Sequence, residues 1–245
     1  VIAPGIDARA VSDVGRTARL ELAFAMRDGR TVLEHAYAEP PLRAGRSFEE
    51  GSGVHMILAS SAPGIFGGDR VDQHVRVGAG ACVRLTSQSA LQLHPAASGV
   101  VAIVRSRFDV AAGATLMCDW DPLIPFAGAA LEQTIEIRLA SGSRLWWSDG
   151  VMSGRHGGGE RWQFTRLAHE LRLLRDGELD YLERYDVDPQ RSPVDVRWVA
   201  GNATHVGTVL RSGWGDAASS AAGVHARLPT DPDTRGAADV PADDL

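Results

Sequence analysis

Between Leu20 and Met26 the apolar residues Leu20, Leu22, Phe24 and Met26 alternate with Glu21, Ala23 and Ala25, a period of two that predicts a half-buried strand. Arg27-Asp28-Gly29-Arg30 follows. Asp-Gly accepts the positive φ of a tight hairpin, so residues 31–37 are expected to return as a second strand. The alternation recurs in Val71, Gln73, Val75 and Val77 against Asp72, His74 and Arg76, then runs through Gly78-Ala79-Gly80-Ala81 into another apolar segment from Cys82, where a further strand pair is expected. Residues 165–174 read two ways: Leu167, Leu171 and Leu174 have helical spacing, while Leu167, His169, Leu171 and Leu173 alternate. The turn Arg175-Asp176-Gly177 after them favours a strand, with residues 181–187 as its partner, until Pro189 and Pro193 interrupt the ladder.

A longer regularity joins Val77-Gly78-Ala79-Gly80-Ala81, Val110-Ala111-Ala112-Gly113-Ala114 and Leu139-Ala140-Ser141-Gly142-Ser143. Each follows an alternating segment and precedes an apolar one. The glycines recur at roughly thirty residues, within the range of stacked repeats, and tiny side chains let successive turns stack closely. The pattern fits a solenoid and fits ordinary hairpin turns in a sandwich equally well. The expectation is a mainly β protein, layered or solenoid-like, of stacked antiparallel strands and hairpins with a few short helices. Residues 1–211 form a single β-rich domain in this reading. Residues 212–245, rich in Gly, Ala, Ser, Asp and Pro, form a low-hydrophobicity segment expected to be helical or mobile and, like the start of the chain, incomplete.

Composition narrows the functions. At 245 residues the chain can bury a sizeable core. A net charge of −6 and a pI near 5.7 give no global field for a phosphate backbone, so nucleic acid is not expected as a partner. All 25 basic residues are Arg, which carries no functional implication. Cys82 and Cys118 lie in apolar contexts without CxxC spacing, as reduced thiols of a cytoplasmic protein would. No apolar run approaches the ~20 residues that span a bilayer, so no membrane association is expected.

Candidate chemistry is sparse. The loop Pro63-Gly64-Ile65-Phe66-Gly67-Gly68-Asp69 lacks the lysine and hydroxyl of a phosphate loop; a tight turn in which Asp69 caps local amides is the simpler account. Gly154-Arg155-His156-Gly157-Gly158-Gly159-Glu160 is a second glycine-dense loop, in which Arg155 and Glu160 are placed to pair and pin the backbone, or to line a path for a cation. The eight histidines are scattered, without HxH or HExxH, so neither a catalytic nor a tight metal site is visible. Residues 85–90 hold Thr86, Ser87, Gln88 and Ser89 without a GxSxG elbow, which leaves a serine hydrolase as a weak alternative. Asp119 and Asp121 flank Trp120 and read as turn caps. Trp146, Trp147, Trp162, Trp198 and Trp214 support a different alternative, a non-catalytic β-rich module binding carbohydrate or protein.

Taken in order, these segments resemble one family. Residues 62–71, then Val77-Gly78-Ala79-Gly80-Ala81 and Leu85-Thr86-Ser87-Gln88-Ser89-Ala90, are similar to the PGG-x-x-GGD, GA-x-A and T-x-Q-x-A blocks of the urease accessory proteins called UreD or UreH. Trp120 to Ala129 resembles its P-x-x-x-I-x-F-x-G-A segment, Gly154-Arg155 with Gly159-Glu160 its GR-x-x-x-GE block, and Arg175-Asp176-Gly177-Glu178-Leu179 its RDG-x-L. The resemblance runs from about Arg16 to Leu210. It implies a non-enzymatic cytoplasmic scaffold that binds apo-urease subunits and a UreF-type accessory protein, which in turn docks a UreG-type GTPase carrying nickel. No cofactor is implied as stably bound; nickel passes in transit through an internal tunnel. The expected route or gating residues are Asp69, Glu160 and Asp119. Arg155, Gly64, Gly67, Gly68, Gly154 and Gly159 would order the loops, and Thr86, Gln88 and Ser89 would supply polar lining, with no tight metal site.

Overall fold

Strands with an apolar side chain at every second position need that face covered, and here a second sheet covers it. A computed structural model of the chain describes residues 15–95, 100–197, 199–215, 222, 223 and 226. Two antiparallel pairs open it: β1 (Thr17–Arg27) with β2 (Arg30–Ala38), and β3 (Leu42–Glu50) with β4 (Gly53–Ser60). The chain then crosses repeatedly between layers. β5 (Arg70–Val77) lies in the first sheet, and β6 (Cys82–Ser87) and β7 (Leu91–Leu93) in the second. β8 (Ala102–Val110) returns to the first, followed by β9 (Thr115–Asp119) and β10 (Leu123–Pro125) in the second. β11 (Ala130–Leu139) and β12 (Arg144–Met152) make the next coil. The hairpin β13 (Arg166–Arg175) and β14 (Glu178–Val187) extends the first sheet, and β15 (His205–Ser212) pairs antiparallel with β12.

The first sheet runs β14-β13-β11-β8-β5-β1-β2 and the second β3-β4-β6-β9-β12-β10-β7 with β15 beside β12. The layered, solenoid-like class is therefore as the small-residue turns predicted, but the pairing within it differs. β1, β5, β8, β11 and β13 are mutually parallel, as are β4, β6, β9 and β12, so antiparallel pairing is confined to the margins. The reason is that the turns after β5, β8 and β11 carry the chain across to the opposite sheet instead of reversing it beside itself, and each coil lays its strands parallel to the last.

Those turns form a ladder of their own. Ala111 N donates to Val77 O, Ala140 N to Val110 O and Asp176 N to Leu139 O, each at 2.9 Å, while Thr115 N donates to Ala81 O and Arg144 N to Ala114 O at 2.8 Å. Gly80, Gly113 and Gly142 hold φ of 70°, 67° and 70°, the left-handed conformation that each tight turn needs. The ambiguous segment is strand from Arg166 to Arg175, with Leu167 and Leu171 fully covered by the opposite sheet. The sole named helical element among the described residues is the 3-10 turn His156–Gly158. Among those residues no helix is long and apolar enough to cross a membrane. The segment 212–245 lies largely outside the described residues.

Two changes separate conformational strain from a clash. Gly113 has open space where a Cβ would stand, so Gly113→Ala should cost only the left-handed penalty, about 1 kcal/mol. A Cβ on Gly64 would stand 2.2 Å from Gln92 O, the acceptor of the Ile65 N–H, so Gly64→Ala should cost about 3 kcal/mol. Equal losses in a urea unfolding series would contradict this account of the loop.

Candidate functional site

The core is divided in two. One cluster includes Phe24, Val75, Phe108, Ile135, Leu171, Leu145 and Trp147; the other includes Val71, Val104, Leu131, Leu167, Leu123 and Phe164. The inward residue lying between them on each strand is polar. On β5 it is Gln73, between Val71 and Val75; on β8 Ser106, between Val104 and Phe108; on β11 Gln133, between Leu131 and Ile135; on β13 His169, between Leu167 and Leu171. β14 continues the layer with Glu183 between Tyr181 and Tyr185, and the facing sheet contributes Asp149 between Trp147 and Val151 on β12. This layer lines a cavity of about 370 Å³ between the sheets.

The layer is hydrogen-bonded across strands. Ser106 Oγ donates to Gln73 Oε1 at 3.2 Å, and His169 Nδ1 lies 3.1 Å from Gln133 Oε1. Glu183 Oε2 accepts from Thr208 Oγ1 at 2.8 Å and from the Tyr181 hydroxyl at 3.0 Å. His169 stacks on Tyr185 with centroids 4.7 Å apart, and its Nε2 faces Glu183 Oε1 at 3.7 Å, too far for a hydrogen bond. Burial dominates the electrostatics. It pushes the Asp149 carboxyl up to about 6, with Glu183 adding to the rise, and holds the His169 imidazolium below its ordinary range against the pull of Glu183 and Glu170. The Tyr181 hydroxyl is pushed up to about 12 by burial and by Glu183.

The second sheet opens onto this cavity where its strands break. The segments between β6 and β7 and between β9 and β10 contribute Gln88, Ser89, Ala90, Trp120 and Asp121 to the wall, and Gln88 and Ser89 are exposed. Exposed Val206 on β15 lies at another part of the wall. Asp121 N donates to Ser87 Oγ at 2.8 Å, and Ser87 Oγ donates to Asp121 Oδ2, which ties the two breaks together.

The residues singled out in the sequence divide differently from expectation. Gln88 and Ser89 line the cavity, but Thr86 does not: its hydroxyl bonds His55 Nε2 at 2.9 Å. Asp119 alternates with buried Cys118, so it turns to the outer face, where it accepts from Arg84 Nε at 3.1 Å and Trp146 Nε1 at 2.8 Å. Asp69 is buried and already committed, accepting from Arg16 N at 2.8 Å and Phe66 N at 2.9 Å. Glu160 binds the Arg155 guanidinium and accepts from Ala127 N at 3.1 Å, and Arg155 holds its carboxyl below the ordinary range. None of Asp69, Glu160 and Asp119 is in the cavity wall, and the three do not converge. Asp149, Glu183 and His169 were not singled out as site residues. Their signal was a polar residue at an inward position of an apolar alternation, repeated on successive strands.

The family model described as UreD urease accessory protein matches residues 16–242. The chain belongs to the UreD urease accessory protein family. It is 36% identical to the urease accessory protein UreD of Sorangium cellulosum over 75% of this chain and 58% of that protein. It is 30% identical to UreD of Deinococcus radiodurans over 86% of this chain and 83% of that one, and 37% identical to UreD of Ralstonia nicotianae over 79% and 64%. The chain thus spans less than two thirds of the Sorangium and Ralstonia relatives.

Three of the UreD-like blocks, in the loops that lead into β5, β11 and β13, meet through a stack of rings. The Arg16 guanidinium lies 5.7 Å from the Phe66 ring, Phe66 stacks on His94 at 4.3 Å, His94 meets Phe126 edge-on at 4.7 Å, and Arg155 lies 4.2 Å over Phe126. Gly64 lets the first loop press on Gln92, and Gly68 lets it press on Gly15. Gly154 lets the second loop close on Glu160, while Gly159 ends the 3-10 turn. Gly67 lies in the turn closed by the Asp69 N–H to Phe66 O bond. The blocks hold loops together, and His94 completes the stack without having been foreseen.

Asp149 has a consequence for stability. Its carboxyl titrates near 6 when folded and near 3.8 otherwise, so the folded state binds the extra proton between those values. Stability from this group is complete below about pH 4 and is lost as pH rises through 6, by about 3 kcal/mol. Asp149→Asn should flatten that slope and make the protein more stable above pH 6, as read by urea unfolding at pH 4, 5, 6 and 7.

Proposed function

We propose that this chain acts in urease maturation as a non-catalytic conduit and scaffold. It docks on apo-urease subunits and on a UreF-type accessory protein, which brings the UreG-type GTPase with its nickel, and Ni²⁺ passes through the inter-sheet cavity. In this reading the work takes place in the cytoplasm, where those partners assemble. The family membership and the names of the relatives support the urease role. The observation that carries the conduit is the polar layer itself, in which Asp149, Glu183 and His169 are held in a cavity between two apolar clusters.

A divalent cation inside protein must exchange waters for oxygen or nitrogen donors without being trapped. A cavity of about 370 Å³ accommodates a cation with six waters at about 30 Å³ each. Among the described residues no three His, Cys, Asp or Glu side chains form a metal cage, which suits passage better than storage. Asp69 and Glu160 serve this route indirectly by holding the loops at its end, and no step requires bond chemistry from the chain. The alternatives have less support. Trp120 and Trp147 pack against Phe108 in the interior and Trp146 bonds Asp119, so these three form no flat exposed face for a sugar; Trp198 lies outside the described residues. Ser87 bonds Asp121 instead of a histidine.

The test is co-expression of urease subunits with the accessory proteins and either this chain or its Asp149→Asn/Glu183→Gln form. At matched amounts of assembled complex, nickel per urease active site should fall at least severalfold with the double variant. Equal nickel content would overturn the conduit.

A further inference from the structure

Resting on the conduit reading, we propose that His169 and Glu183 form a mixed nitrogen–oxygen checkpoint that favours a borderline transition cation over Mg²⁺ or Ca²⁺ in transit. His169 is 4% exposed, and its Nε2 is a buried nitrogen without a hydrogen-bond partner among the described residues. Leaving such an atom unpaired destabilises a fold, so its retention calls for a ligand. Gln133 presents its Oε1 to Nδ1 at 3.1 Å, which places the ring proton on Nδ1 and leaves the lone pair on Nε2. Tyr185, stacked at 4.7 Å, fixes the ring plane.

Two electron-rich atoms, Nε2 and Glu183 Oε1, then face each other across 3.7 Å. That gap repels as it stands and is relieved by a cation between them. It is shorter than two bonds of about 2.1 Å end to end, so one ion can touch both atoms while water fills its other positions. Two donors are too few to trap it. The remaining side-chain donors of the layer, Asp149, Gln73, Ser106, Gln133 and Thr208, offer oxygen for Mg²⁺ and Ca²⁺, whereas imidazole suits Ni²⁺. His169 is therefore the one donor of the layer that distinguishes the cations.

The experiment uses the full chain in its complex with the UreF-type partner, with nickel chloride as the probe. Equilibrium dialysis in hundredfold excess Mg²⁺ measures retained nickel for the wild type and for His169→Asn, which keeps a polar atom near the Nδ1 position and loses Nε2. Wild type should hold nickel about tenfold more tightly or more, while Mg²⁺ binding is the same in both. If His169→Asn fails to fold, His169→Gln, with an amide near the Nε2 position, should bind nickel but lose its margin over Mg²⁺. Unchanged retention under Mg²⁺ competition, or an ¹⁵N spectrum showing the proton on Nε2, would overturn the checkpoint. If His169→Asn is silent while Glu183→Gln still lowers the nickel content of urease, the conduit stands without it. If neither variant changes urease nickel, the conduit reading falls as well.

Discussion

The hydrogen-bonded stacking of the three small-residue turns sets the register of everything else. With Val77, Val110 and Leu139 aligned at the ends of β5, β8 and β11, each residue further back along one strand is held beside a fixed residue of the next. Parallel strands have a side-chain period of two, so a slip of one residue would reverse inward and outward faces on an entire strand. Register is what brings Gln73 beside Ser106 and, one inward position away, Gln133 beside His169, so that isolated polar residues become two adjoining pairs on one wall of the cavity. A cavity of defined chemistry between two sheets is a consequence of turns that lie at the edge of the molecule.

The layer works against stability. Filling positions 73, 106, 133 and 169 with apolar side chains would join the two clusters into one continuous core, and buried apolar area contributes about 25 cal/mol per Å². The protein instead keeps a carboxyl that burial drives toward protonation and an imidazole nitrogen without a partner. A protein selected for stability alone would replace both, which is the ground on which the proposed conduit rests. The outer face of the first sheet has the opposite character: Arg19, Glu21, His74, Asp109, Arg107, Glu136 and Arg138 neutralise one another in exposed or half-exposed pairs that contribute little each.

Much of the fold was legible. The alternations around Leu20, Val71 and Leu167 and the repeated glycine turns indicated strands, layers and a coil of roughly thirty residues, because those signals are local. The parallel order was not legible, since Gly78-Ala79-Gly80-Ala81 serves as well to reverse a strand as to carry it to another sheet. The site was harder. Gln73 and His169 were visible as members of alternating segments, yet one polar residue among apolar ones reads as tolerance. Its meaning depends on Ser106, Gln133, Glu183 and Asp149 facing the same cavity, a fact of pairing between segments far apart in sequence.

In the glycine loops the simpler reading of the residues holds. Asp69 caps the amides of Arg16 and Phe66, and Arg155 pairs with Glu160 within its own loop. Asp69 receives those amides one on each oxygen, and Glu160 receives the amide of Ala127 and the Arg155 guanidinium, so both oxygens of each carboxylate are engaged by the chain. Glu183 differs in lining the cavity: Thr208 and Tyr181 bind one oxygen, leaving the other turned toward His169 at 3.7 Å. In the proposed conduit, position in the cavity wall, more than acidity or glycine content, separates Glu183 from the carboxylates that hold the loops.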